Sequence, residues 1–149
     1  MRAVVQRVSQ ARVDVDGKSV GEIEHGLLVY LGVATEDGSR DAEYVAGKIA
    51  HLRVFDDEEG IMNRSLLDAG GDALVVSQFT LYGDTRKGRR PSYNRAAPPE
   101  TAQALYEAVV DRIRQKGITV ATGRYRTEMA VTATVAGPVT ILIDSQKEF

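Results

Sequence analysis

Cysteine and tryptophan are absent from the 149-residue chain, and only 4 prolines interrupt it. Without cysteine there is no disulfide scaffold, zinc ribbon, thiolate nucleophile or iron–sulfur site. Long apolar runs are lacking as well: none approaches the ~18–20 residues needed to cross a bilayer, so no membrane partner is expected. The opening MRAVVQRVSQARVDV interleaves charge with valine, which predicts no secretory signal and a cytoplasmic location. Charge of one sign is missing too, since 19 Lys and Arg face 21 Asp and Glu for a net of −2. Taken as a sum, that balance argues against a nucleic-acid partner.

What is there is an ordinary globular composition, 43% hydrophobic and 27% charged. No repeat, low-complexity tract or Gly/Ser/Pro linker divides it, so residues 1–149 are expected to form one domain. Val4, Gln6 and Val8 alternate with Val5 and Arg7, and Val13 and Val15 with Asp14 and Asp16, which predicts strands. Asp16-Gly17 is a two-residue turn signal and His25-Gly26 a second one. Leu27–Val33 is almost wholly apolar, as for a strand buried on both faces. Ser39 is the expected cap of a first helix, whose stripe is Ala42, Val45, Ile49 and Leu52. Asp56–Gly60 reads as an acidic turn, and Ala73–Leu81 as a central strand. A second helix opens at Pro99, carries Ala102, Leu105, Tyr106, Val109, Val110 and Ile113, and stops at Gly117. Met129–Val135 and Val139–Asp144 read as two strands joined through Ala136-Gly137-Pro138. The class is therefore α+β: an extensive, mostly antiparallel sheet packed by two amphipathic helices in β/β/α layers.

Catalytic constellations are few. His25 and His51 stand apart with no ligand spacing, and the acidic run lacks the alternating oxygens of a calcium loop, so no metal and no cofactor is expected. Gly83–Gly88 lacks the Lys-Ser/Thr of a phosphate loop, and no Gly-x-Ser-x-Gly elbow occurs. Three features survive. Ser77-Gln78-Phe79-Thr80 ends an apolar strand; it either aims backbone N–H groups at a developing oxyanion or simply emerges into water. Gly137-Pro138 reads on its own as a hairpin connection. The long loop Tyr82–Pro98 gathers Arg86, Lys87, Arg89, Arg90 and Arg95 against Asp84 alone over residues 84–95. That is a local excess of four positive charges, flanked by Tyr82 and Tyr93, and it leaves six excess negative charges elsewhere. It is either a solvated face or a contact for a polyanion such as RNA.

These segments, taken in order, resemble the D-aminoacyl-tRNA deacylase family. The resemblance is carried by Ser77–Leu81, Asp84–Ser92 and Gly137-Pro138-Val139-Thr140, with Met1–Val8, Gly26–Val29 and Met62-Asn63 also fitting. It runs over essentially the whole chain. It implies a homodimer acting on the 3′ end of aminoacyl-tRNA, and no DNA partner. The implied reaction is hydrolysis of the ester of D-aminoacyl-tRNA, and of glycyl-tRNA mischarged on a non-cognate tRNA, as translation quality control. The resemblance further implies that Ser77, Gln78, Phe79 and Thr80 form the reaction centre, assisted by the substrate's own 2′-hydroxyl. Gly137 and Pro138, joined by a cis bond in that family, would reach across from the other subunit and exclude L side chains. Arg7 would brace them and Met129 would wall the pocket, while Arg86, Lys87, Arg89 and Arg90 would contact tRNA. The chain departs from the family pattern at Tyr125–Glu128, where Phe-Gly-Ala commonly precedes the pocket Met, and at Val135-Ala136, where Asn-Asp is usual. A non-catalytic RNA-binding module on the same fold, or a deacylase of shifted amino-acid preference, are the alternatives.

Overall fold

A computed structural model describes all residues, 1–149. The valine-rich opening forms one unbroken strand, β1 (Arg2–Val15). Asp16 and Gly17 follow at φ 51° and 75°, the paired positive values of a tight hairpin turn, where Gly is free of steric cost and Asp tolerates the strain. β2 (Lys18–Ile23) returns along β1, and after a bend at Glu24-His25 strand β3 (Gly26–Gly32) continues along the same edge, down to the pair Arg2↔Gly32.

Helix α1 (Ser39–His51) follows, capped by Gly38, whose N–H donates to Asp41 Oδ2 at 2.9 Å. Ser39 is thus not the cap. It is the first helical residue, and its hydroxyl accepts from Arg112 at 2.8 Å. The acidic turn joins β4 (Phe55–Asp56) to β5 (Met62–Arg64) and is held by Asp57 Oδ1, which accepts the N–H groups of Glu59 and Ile61. A one-turn helix α2 (Leu66–Ala69), absent from the sequence reading, is closed by reciprocal bonds between Ser65 and Asp68.

β6 (Asp72–Ser77) pairs parallel with β3, and β7 (Val120–Thr122) parallel with β6, while α3 (Pro99–Gln115) crosses between them. The sheet is therefore mixed, antiparallel around β1 and parallel beyond β3. Three helices, not two, accompany it. The final segment is one strand, β8 (Ala130–Asp144), antiparallel to the other edge of β1. The expected hairpin is instead a bulge: Gln6 faces Thr140 and Val8 faces Val135, so residues 136–139 leave the ladder around Pro138, which has no N–H to give it.

The sheet curls until β2 meets β7. A Cβ on Gly21 would lie 2.3 Å from the Thr122 carbonyl oxygen, so only glycine permits this nearly closed barrel. Val8, Ala11, Val13, Leu28, Leu74 and Val76 fill its interior. Leu27, Val29, Leu31 and Val75 face outward into the larger core under Val45, Ile49, Val109 and Ile113 of the helices. Both faces of β3 are thus buried, which is why its sequence shows no alternation. A register shift between Val8 and Gln10 resets β1's alternation, so Ala11 and Val13 follow Val8 inward.

Candidate active site and RNA-facing loop

At the end of β6 the chain stops being a strand. Gln78 N–H donates to Leu31 O at 2.8 Å, the last tie to β3, and residues Phe79–Tyr82 then wind into a 3-10 turn. The strand expected to reach Leu81 ends at Ser77. β7 pairs only with Ala73–Val75, so beyond Val75 that edge has no ladder to extend. The turn sits on Gly32, where a Cβ would stand 2.9 Å from Gln78 O and 3.1 Å from Leu81 Cβ. As in any helical start, the Phe79 and Thr80 N–H groups find no acceptor within the turn.

This turn and β6 form the floor of a cleft of about 820 Å³. Ser77, Gln78 and Phe79 line it together with Met129. Phe79 is 55% exposed, with Tyr93 edge-on at 5.1 Å between ring centroids. The opposite wall is Pro98 and Pro99 at the foot of α3, which the sequence does not mark as pocket residues, and Tyr125 of the departing stretch Tyr125–Glu128, whose hydroxyl donates to Pro99 O at 2.8 Å. The apolar run Ala96–Pro99, out of place in a basic loop, was the available signal. Ala97 N–H donates to Val33 O and anchors it.

No carboxylate or imidazole lines the cleft, and Arg126 is its one cation. Arg126 holds φ 58°, a left-handed conformation that glycine takes more readily. Thr80 lies outside the lining; its Oγ1 accepts from Gln78 Nε2. Nothing beside it serves as a general base. What the arrangement offers chemically is backbone donors, neutral side chains and an apolar enclosure.

Gly137, Pro138 and Arg7 are not in this cleft. They form a separate cluster on β1 and β8, where the Gly137-Pro138 peptide is cis and both residues are exposed. Arg7 is tied to it: Nε donates to Ala136 O at 3.2 Å, and Nη1 donates to Val54 O at 2.8 Å and Asp56 Oδ1 at 3.2 Å. The bulge is thereby fastened to the β4–β5 hairpin.

The basic loop is less uniform than its sequence. Arg86 grips Asp84 with two side-chain bonds of 2.9 and 2.6 Å, which hold the Asp84 carboxyl far below the usual carboxylate range. Arg95 is paired with Glu148 and Glu36. Lys87, Arg89 and Arg90 are exposed and make no ion pair, so three of the five cations are free to meet an anion.

Residues 4–144 match the family model described as D-Tyr-tRNA(Tyr) deacylase. The chain belongs to that family. It is 59% identical, over all of its length and 99% of the relative's, to a protein of Symbiobacterium thermophilum named D-aminoacyl-tRNA deacylase. A protein of the same name from Thermosipho africanus is 56% identical over the full length of both. Among solved structures, one titled c-Myc DNA Unwinding Element Binding Protein superposes with a TM-score of 0.91 at 36% identity, covering 97% of this chain and 98% of that one. Another, titled as a probable eukaryotic D-amino acid tRNA deacylase, gives 0.82 at 19% identity over 95% and 97% of the two chains, a likeness of fold.

Proposed function

We propose that residues 1–149 act as one D-aminoacyl-tRNA deacylase domain in the cytoplasm, hydrolysing the ester between a D-amino acid and the terminal adenosine of tRNA. The observation that carries this reading is the cleft itself, lined by Ser77, Gln78, Phe79 and Met129 and free of any acid or base. Ester hydrolysis passes through a tetrahedral oxyanion, and the unpaired N–H groups of Phe79 and Thr80 are suited to stabilise it. With no side chain available to activate a nucleophile, the substrate's 2′-hydroxyl assists the attack while the protein positions and polarises the ester.

Chirality selection is assigned to Gly137-Pro138 of a second copy of the chain. The bulge is exposed and fastened by Arg7, and it lies outside the cleft of its own chain, so a homodimer in which each bulge caps the other's cleft supplies the missing wall. Its carbonyls would collide with an L side chain, whereas a D side chain points away and glycine has nothing to clash. Lys87, Arg89 and Arg90 are the free cations for the acceptor strand, with Arg86 in a secondary role. Incubation with tRNA charged with D-Tyr, Gly or L-Tyr tests the reading. The expected result is loss of the D-Tyr and Gly esters with L-Tyr intact. Binding without ester loss, or attack on the L-Tyr ester, defeats it.

A further inference from the structure

At the Tyr82 end of the 3-10 turn is a second cavity, of about 310 Å³. At its base Tyr82 is buried, 3% exposed, and two guanidinium groups lie against its ring, Arg2 at 4.7 Å and Arg95 at 5.7 Å from the centroid. Both point at one acceptor. Glu148 receives Arg2 Nη2 at 2.5 Å and Arg95 Nη1 and Nη2 at 3.1 and 2.8 Å. Glu148 belongs to the short segment after β8; its side chain is 40% exposed and that of Arg95 39%, so water reaches this pair, while Arg2 is 20% exposed. Arg2 is held independently by Leu81 O at 3.2 Å and Asp144 at 3.4 Å, and Arg95 by Glu36 at 3.4 Å.

Two planar forks converging on two oxygens suit a phosphodiester as well as a carboxylate. We infer that the Arg2–Arg95 fork over Tyr82 is a phosphodiester site for the RNA strand, with Glu148 standing in the phosphate's place when no RNA is bound. The exchange is one negative charge for another, so the pairs with Asp144 and Glu36 survive it. Position supports RNA over a free ion. Phe79 lines the first cavity and Tyr82 the second, only ~6 Å apart along a 3-10 turn. A strand whose terminal nucleoside enters the cleft carries a backbone phosphate past the fork. The inference rests on the deacylase reading for what fills the cleft. It adds a self-occupied anion site, and with it an intramolecular competitor for tRNA.

The experiment measures binding of uncharged tRNA to the wild-type protein and to Glu148→Gln, with unfolding midpoints taken in parallel. The variant is expected to bind about 3- to 10-fold tighter, because the competitor is gone. Arg95→Gln is expected to bind more weakly, with a salt slope shallower by about 0.7. If Glu148→Gln shifts only the unfolding midpoint and leaves tRNA affinity unchanged, Glu148 is a structural tie and the inference falls. Inorganic phosphate that saturates the variant without any gain in tRNA affinity assigns the fork to the free ion and equally overturns it. D-Tyr-tRNA hydrolysis by the same wild-type preparation separates the two readings. Ester loss with no tighter binding by the variant sinks only the phosphate site. No ester loss sinks the deacylase reading, and the affinity ratio still decides the fork.

Discussion

The α-ammonium of Met1 lies 2.5 Å from Asp37 Oδ1, and the side chains of both residues are shut off from solvent. The other Asp37 oxygen accepts Ala34 N–H at 2.6 Å, and Ser145 Oγ accepts from the ammonium at 2.7 Å. One carboxylate therefore ties the start of β1 to the segment after β3, whose Ala34 bridges Ala96 on the wall of the cleft.

Removing half of a buried ion pair leaves the other half uncompensated, which costs about 3–5 kcal/mol. Asp37→Ala should lower stability by that amount in urea unfolding. A loss below about 1 kcal/mol would mean that the pair contributes no more than a surface bridge.

Thr80→Ala should keep substantial deacylase activity, because Thr80 has Gln78 for a partner and no base beside it. A fall of several orders of magnitude in single-turnover hydrolysis, with the fold intact by circular dichroism, would make Thr80 the nucleophile.

Gly32→Ala tests the seat of the 3-10 turn. The new methyl meets Gln78 O at 2.9 Å, a backbone atom that cannot swing aside, so residues 78–81 must shift. Overpacking of this kind costs about 1–3 kcal/mol, and small misplacements of reacting groups cost about 100-fold in rate. The expected signature is a kcat/KM loss far beyond what the stability change explains. Unchanged kinetics would place the chemistry elsewhere.

Within the basic loop, Arg89→Ala and Arg90→Ala should each weaken tRNA binding and flatten its salt dependence by about 0.7 per lost contact. Arg86→Ala should do less, since its guanidinium is spent on Asp84. Equal effects at all three positions would show that the Asp84 pair opens on binding.

Tyr106 gives a pH test. Burial pushes its hydroxyl up to about 12, and the O–H donates to Val75 O at 2.8 Å. The folded chain holds this proton more tightly than the unfolded one, so the associated stability is complete below about pH 10 and is lost as pH rises toward 12, by about 1.4 kcal/mol per unit. Tyr106→Phe should start about 1 kcal/mol weaker at pH 7 yet decline less steeply in alkali. Parallel pH profiles would refute the assignment.

Much of this architecture was readable from residue patterns. The Asp16-Gly17 turn, the α1 and α3 stripes and the buried run of β3 followed from local chemistry. The errors share a cause. Ala73–Leu81 looks like one strand, but it stays beside β3 only as far as the pair Leu31↔Ser77 and then winds into a 3-10 turn. The two C-terminal strands are one because β1, 14 residues long, templates both halves across the interruption. Partner length and register are properties of the whole sheet, and no local window holds them. At the site, Ser77–Phe79, Met129 and the departing stretch at Tyr125 line one cleft and Thr80 does not, whereas Pro98 and Pro99 are not marked beforehand, because apolar residues in a loop carry no sign of the cleft they will face.

The bulge at Gly137-Pro138 also shapes the edge of the sheet. β8 pairs only with β1, so its outer edge is a 15-residue row that no strand of the chain covers. A row of that length is a template for runaway edge pairing between molecules. By throwing four residues out of line and placing a proline among them, the bulge divides the row into two short stretches that cannot be matched by a single straight strand. The same kink that exposes Gly137 and Pro138 is thus one of the devices by which a sheet edge is blunted against such pairing.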